Sequence, residues 1–267
     1  MKTLTNQQAI TCLLLFILLA CRISVDILEF MYLIFLKMNV FPAWVDMIKV
    51  VFPIVNTFYN LGAFGLIAIA ILLNKDDIQS LNMDKFFILV FLYSGLATFW
   101  EHILDLGWLI GVAWFLFFIY VLKNRMRFNI PNPSAERISL IITGIFAVCF
   151  IAVVWFIDLP KILQVIHLFF LQTIPNVAYE EVIFRGMLWK FLKNLQWNES
   201  KIVLAQAILF WLAHIRYLIL NPFDFWIFVP LTGLLLGYIV LRSKSITPST
   251  IAHMLINLLY GSLIISR

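Results

Sequence analysis

The sequence predicts an all-α fold, a polytopic transmembrane helical bundle of eight (or nine) spans. Three observations carry this expectation. Of the 267 residues, 63% are apolar and only 12% are charged, against about 45–50% and about 25% in an ordinary soluble domain. The mean hydropathy is +1.00, and no single soluble core consumes such an apolar surplus. The apolar residues also gather into stretches of about 20, the length a bilayer demands. A disordered or nucleic-acid-binding chain fails on the same numbers, because it needs charge in quantity. The expected surroundings are therefore the lipid bilayer, in a multi-pass cell-membrane protein, with no nucleic-acid partner.

The spans run at about 8–36, 50–73, 85–122, 137–157, 162–192, 201–219, 225–241 and 247–265. The first carries Arg22, Asp26 and Glu29. It is either a tilted helix with a polar inner stripe or a shorter span with an amphipathic extension. The second ends at Asn74, Lys75, Asp76 and Asp77. The third would be about 57 Å long as one helix, far beyond a ~30 Å hydrocarbon core. Glu101, His102, Asp105 and Gly107 lie at its middle; a break there gives nine spans, a long kinked helix gives eight. Polar joints with proline, lysine or arginine separate the remaining segments, the longest being Lys123 to Arg137. The net charge of +5 reads as a topology signal. Lys123, Arg125, Arg127 and Arg137, then Lys190, Lys193 and Lys201, then Arg242 and Lys244 place alternate joints of the C-terminal half in the cytoplasm.

The cysteines, Cys12, Cys21 and Cys149, have neither zinc-binding nor disulfide spacing and read as small buried hydrophobes. Leu18 to Cys21 weakly matches a lipoprotein cleavage box. One basic residue, Lys2, precedes it and apolar sequence soon resumes, so neither a removed signal nor a lipid anchor is expected.

Ionisable side chains inside a bilayer cost at least about 2.5–3.5 kcal/mol each and usually serve a function. In the C-terminal half these are Glu180, Glu181, Arg185, His214 and His253, with the amide of Asn257, and His167 as a further candidate. Glu181 and Arg185 are four apart, share a helix face and suit an ion pair. Glu180 is rotated by ~100° and faces elsewhere, so two adjacent glutamates can have different roles, one anchored and one reactive. Phe210 and His214 are four apart, as are His253 and Asn257. Each pair lies on one helix face, and Glu180, His214, His253 and Asn257 converge if their helices are neighbours.

No G-x-S-x-G elbow occurs, and no cysteine is placed as a nucleophile. A carboxylate with a histidine activates water, and a second histidine with an asparagine donates hydrogen bonds to an oxyanion. That chemistry is amide hydrolysis within the membrane. The same side chains could hold zinc, a metal-assisted version. The missing H-E-x-x-H motif and the arginine beside the glutamates favour the metal-free one, with no cofactor. Glu–Arg pairs and lone histidines also hold helices together without chemistry, and Glu101, His102 and Asp105 would suit the ion relay of a small-solute transporter.

Glu180-Glu181-x-x-x-Arg185, Phe210-x-x-x-His214 and His253-x-x-x-Asn257, in that order on hydrophobic segments, resemble the CPBP (Abi) family. That family includes type II CAAX prenyl endopeptidases and bacteriocin-immunity proteins. The resemblance covers about residues 137–265. It implies an N-terminal region of unassigned role, 1–136, and a catalytic membrane domain, 137–267. It also implies a glutamate endopeptidase in which Glu180 activates water with help from His214. His253 and Asn257 would stabilise the oxyanion and position the reacting groups, with Glu181, Arg185 and Phe210 as supports. The expected partner is a membrane-associated peptide or protein: a CAAX-type substrate, a bacteriocin or a pheromone. A non-catalytic protein of the same fold, giving immunity or scaffolding a partner, is the alternative.

Overall fold

The computed structural model describes residues 6–38, 59–60, 62–73, 81–102, 133–156 and 159–266. Among them there is no strand; nearly all are helical. The helices are α1 (Asn6–Lys37), α2 (Gly62–Leu73), α3 (Lys85–His102), α4 (Pro133–Phe156), α5 (159–194), α6 (Glu199–Leu212), α7 (Tyr217–Leu220), α8 (224–243) and α9 (Thr247–Ser266). By length and composition, Gln8–Lys37, Lys161–Asn194 and Asp224–Ser243 suffice to cross a membrane. Exposed Leu13, Phe16, Ile141, Val148, Leu204 and Leu231 suit a surface that meets lipid rather than water.

The described residues fall into two compact units, each discontinuous in sequence: 1–74 with 187–237, and 75–186 with 238–267. In the first unit, α1 runs for 32 residues without glycine or proline, so nothing interrupts its backbone bonds. Arg22 and Asp26 are buried and paired, Nη1 to Oδ1 at 3.0 Å, so the single helix with a polar inner stripe is the form adopted. α1 packs against α7, and Trp189–Asn194 packs against α6. Its apolar core includes Leu15, Leu18, Ile67, Ile71, Ile202 and Phe210.

In the second unit, α9 packs on α4 and on α5, and α3 packs on the Phe169–Glu181 part of α5. Phe87, Phe91, Val177, Tyr179, Val182 and Phe184 fill the core. The Tyr179 hydroxyl is satisfied there by Thr98 Oγ1 at 2.6 Å and the Ser94 carbonyl at 3.2 Å. α5 alternates between α and the wider π geometry, with π segments at Phe169–Thr173 and Val182–Leu188. The first of these lies just before Pro175, which has no N–H to donate. The helix widens before this proline, and the Ile174 N–H reaches back to the Phe169 carbonyl.

One expected span is corrected. The apolar run 201–219 is not one helix: α6 stops at Leu212, turns occupy 213–216, and α7 follows. The His214 imidazole takes the Phe210 carbonyl, Nδ1 to O at 2.7 Å, while the backbone N–H of His214 bonds instead to the Trp211 carbonyl at 3.0 Å. Three-residue bonds then continue through Tyr217, Leu218 and Ile219. A side chain has displaced a backbone donor, and the helix tightens and ends. Residues 103–122, with Asp105, lie outside the described residues, as does most of the 123–137 joint.

Candidate active site

The second unit brings Glu180, Glu181, Arg185 and His253 together. Glu181 is fully buried and is the hub. Its Oε1 lies 3.3 Å from Arg185 Nη1 and 2.9 Å from His253 Nδ1. Its Oε2 accepts the Ser249 hydroxyl at 2.6 Å. Arg185, also 0% exposed, lies one turn along the same helix, as the four-residue spacing requires. Since a carboxylate only accepts, His253 must donate from Nδ1; in the neutral ring Nε2 then carries the lone pair. That Nε2 edge faces Glu180, at 3.7 Å from Oε2. The two adjacent glutamates therefore occupy different environments: Glu181 among three donors, Glu180 across from the imidazole edge.

His253 comes from α9, and Asn257, half-buried, lies one turn further along it. Ser249 lies one turn earlier, so Ser249, His253 and Asn257 form one row at four-residue spacing. The sequence reading missed Ser249, although that row was the available signal. It also missed Asn82 and Asp84, which fix the site's frame. Asn82, at a positive φ of 55°, donates from Nδ2 to the Arg185 carbonyl at 3.2 Å, and its own carbonyl accepts from the Ile246 N–H at 2.8 Å. Asp84 caps α3 by accepting from the Phe87 N–H at 3.0 Å. The same carboxylate accepts from Ser245 Oγ at 2.9 Å and Thr247 Oγ1 at 2.6 Å. One short loop thus binds the start of α3, the glutamate helix and the start of the histidine helix. Gly186 belongs to this junction, since a Cβ there would lie 3.2 Å from the Leu81 carbonyl.

Phe210 and His214 lie in the first unit. Both are buried, with ring centroids 4.4 Å apart. His214 donates from Nδ1 to a carbonyl, so its Nε2 is the proton acceptor of the neutral ring. His167 is exposed on the 159–194 helix. Glu101 and His102 lie in the last turn of α3. Cys12, Cys21 and Cys149 are free thiols. Among the described residues, no three His, Cys, Asp or Glu side chains group as metal ligands.

Residues 160–259 match the family model described as type II CAAX prenyl endopeptidase Rce1-like. With the apolar helices, this suggests a membrane protein whose residues 160–259 are similar to type II CAAX prenyl endopeptidases. The match encloses Glu180, Glu181, Arg185, Phe210, His214, Ser249, His253 and Asn257, and so bears out the resemblance to the CPBP family. No curated protein and no solved structure matches the chain.

Proposed function

We propose that the chain is an intramembrane glutamate endopeptidase that hydrolyses a peptide bond in a membrane-associated peptide or protein. The supporting observation is the division of labour between the glutamates. Glu181 is held by Arg185, His253 and Ser249, which suits an anchor. Glu180 lies 3.7 Å from His253 Nε2, beyond a direct hydrogen bond but within reach of one water touching both. Glu180 takes a proton from that water as its oxygen attacks the scissile carbonyl carbon. The Asn257 amide donates to the oxyanion, and the His253 Nε2 lone pair accepts the other proton of the water in a hydrogen bond and so positions it. Collapse of the intermediate breaks the C–N bond, and the proton on Glu180 passes to the leaving amine. His214 has the assisting role that the resemblance implies.

The metal-free route is favoured because Glu181 already accepts from His253 and Ser249 and is paired with a guanidinium that opposes a dication. Zinc-assisted hydrolysis is the alternative. The chain is read as crossing a bacterial plasma membrane eight or nine times. Its substrate is a CAAX-type protein or a small peptide such as a bacteriocin or pheromone, in processing or self-immunity. The test is cleavage of an internally quenched, prenylated CAAX peptide, and of a peptide library, by the full-length protein in nanodiscs. Glu180→Gln and His214→Ala should each lower turnover by about 10²–10⁴-fold while the protein remains folded. Full activity in both variants rejects the protease reading. An immunity phenotype that survives both supports a non-catalytic scaffold.

A further inference from the structure

The polar stripe of α1 has no part in the chemistry above, yet it leads to His214. Within the first unit, Glu29 Oε2 accepts from Arg216 Nη1 at 2.7 Å, across 187 residues of sequence. Asp26 Oδ1 lies 3.9 Å from Arg216 Nε and also pairs with Arg22. Two arginines and two carboxylates balance; Arg22 and Asp26 are buried, while Arg216 and Glu29 are part-exposed. The Arg216 guanidinium lies 5.2 Å from the centre of the Tyr217 ring. The Tyr217 ring in turn lies parallel to the His214 imidazole, at 11° with centroids 5.9 Å apart. His214 itself occupies the stretch where α-helical bonding has given way to tighter turns. The Phe210 carbonyl holds one edge of the ring at Nδ1, and the parallel Tyr217 ring restrains its face.

We propose that Asp26 and Glu29 of α1 are positioning residues for His214, acting through Arg216 and Tyr217. The inference rests on the reading that His214 takes part in the chemistry. The N-terminal helix then holds the turn after α6 so that Nε2 keeps one direction. A misplacement of about 1 Å at a catalytic group can cost on the order of 10²-fold in rate.

The test uses the full chain in nanodiscs, labelled with ¹³Cε1-histidine. The four histidines give four resonances, assigned by single His→Gln replacements. Glu29→Gln and Arg216→Gln should each move the His214 resonance by more than its linewidth and leave that of His253, which lies in the other unit, unchanged. The exchanged pair Glu29→Arg with Arg216→Glu should bring the His214 resonance back. On the prenylated peptide, kcat should fall on the order of 10²-fold at unchanged KM in the single variants and recover in the exchanged pair. A His214 resonance unmoved by both single variants overturns the proposal, as does failure of the exchanged pair to restore it. If Arg216→Gln does not fold, Tyr217→Leu removes the intervening ring and is judged by the same displacement of the His214 resonance. A wild-type protein that cleaves nothing rejects the protease reading instead, while the resonance still decides whether α1 orients His214.

Discussion

Replacing Glu181 with glutamine keeps the size of the side chain and removes its charge. Arg185 is 0% exposed and stands 3.3 Å from the lost charge, so the variant leaves a guanidinium buried without its nearest anion. Breaking a buried pair from one side costs about 3–5 kcal/mol. The hydroxyl of Ser249 can rotate to accept from the new amide, so its loss is small. The amide oxygen still accepts from His253 Nδ1, and Glu180 offsets part of the uncompensated charge on Arg185. The expected loss is therefore near the lower bound, about 3 kcal/mol. It is measured by unfolding titration in mixed micelles, followed by tryptophan fluorescence. The double variant Glu181→Gln, Arg185→Met removes both charges and should regain at least half of that loss. A single variant within about 1 kcal/mol of the parent would refute the hub role of Glu181. A double variant no better than the single one would refute the electrostatic origin of the loss.

Gly237→Ala would set its Cβ onto the buried amide of Gln206 and should cost about 1–3 kcal/mol. The cost should vanish in a Gln206→Ala background, and equal losses in both backgrounds would argue against this contact. The metal-free mechanism predicts that cleavage survives treatment with a strong chelator. Elemental analysis finding one zinc per chain, together with chelator-sensitive turnover, would overturn it.

Helical spacing made part of the site legible. Glu181 with Arg185, and Phe210 with His214, are pairs four residues apart that the folded chain keeps as neighbours. The contact of His253 with both glutamates depends on two helices meeting, which no local period encodes: the approach to Glu180 was foreseen only on condition that the helices are neighbours, and the bond to Glu181 was not foreseen. Ser249 lay in plain view, one turn before His253, yet a serine in an apolar run carries little signal by itself. Asn82 and Asp84 were hidden differently: between two apolar segments, such residues read as a solvated joint. The end of α6 was missed because the apolar run continues to residue 219, while the break comes from one imidazole–carbonyl bond.

The loop at Asn82 and Asp84 also has a consequence for the order in which the protein can be made. Asp84 waits for Ser245 and Thr247, which follow it by 161 and 163 residues. At about 5–20 residues per second, that interval is about 8–32 s. Glu181 likewise precedes Ser249 by 68 residues and His253 by 72, so no part of α9 can shield it while the chain is still emerging. Arg185 alone arrives at once, four residues later and on the same helix. The Glu181–Arg185 pair can therefore enter the bilayer already neutralised and wait there for the last helix to complete the site.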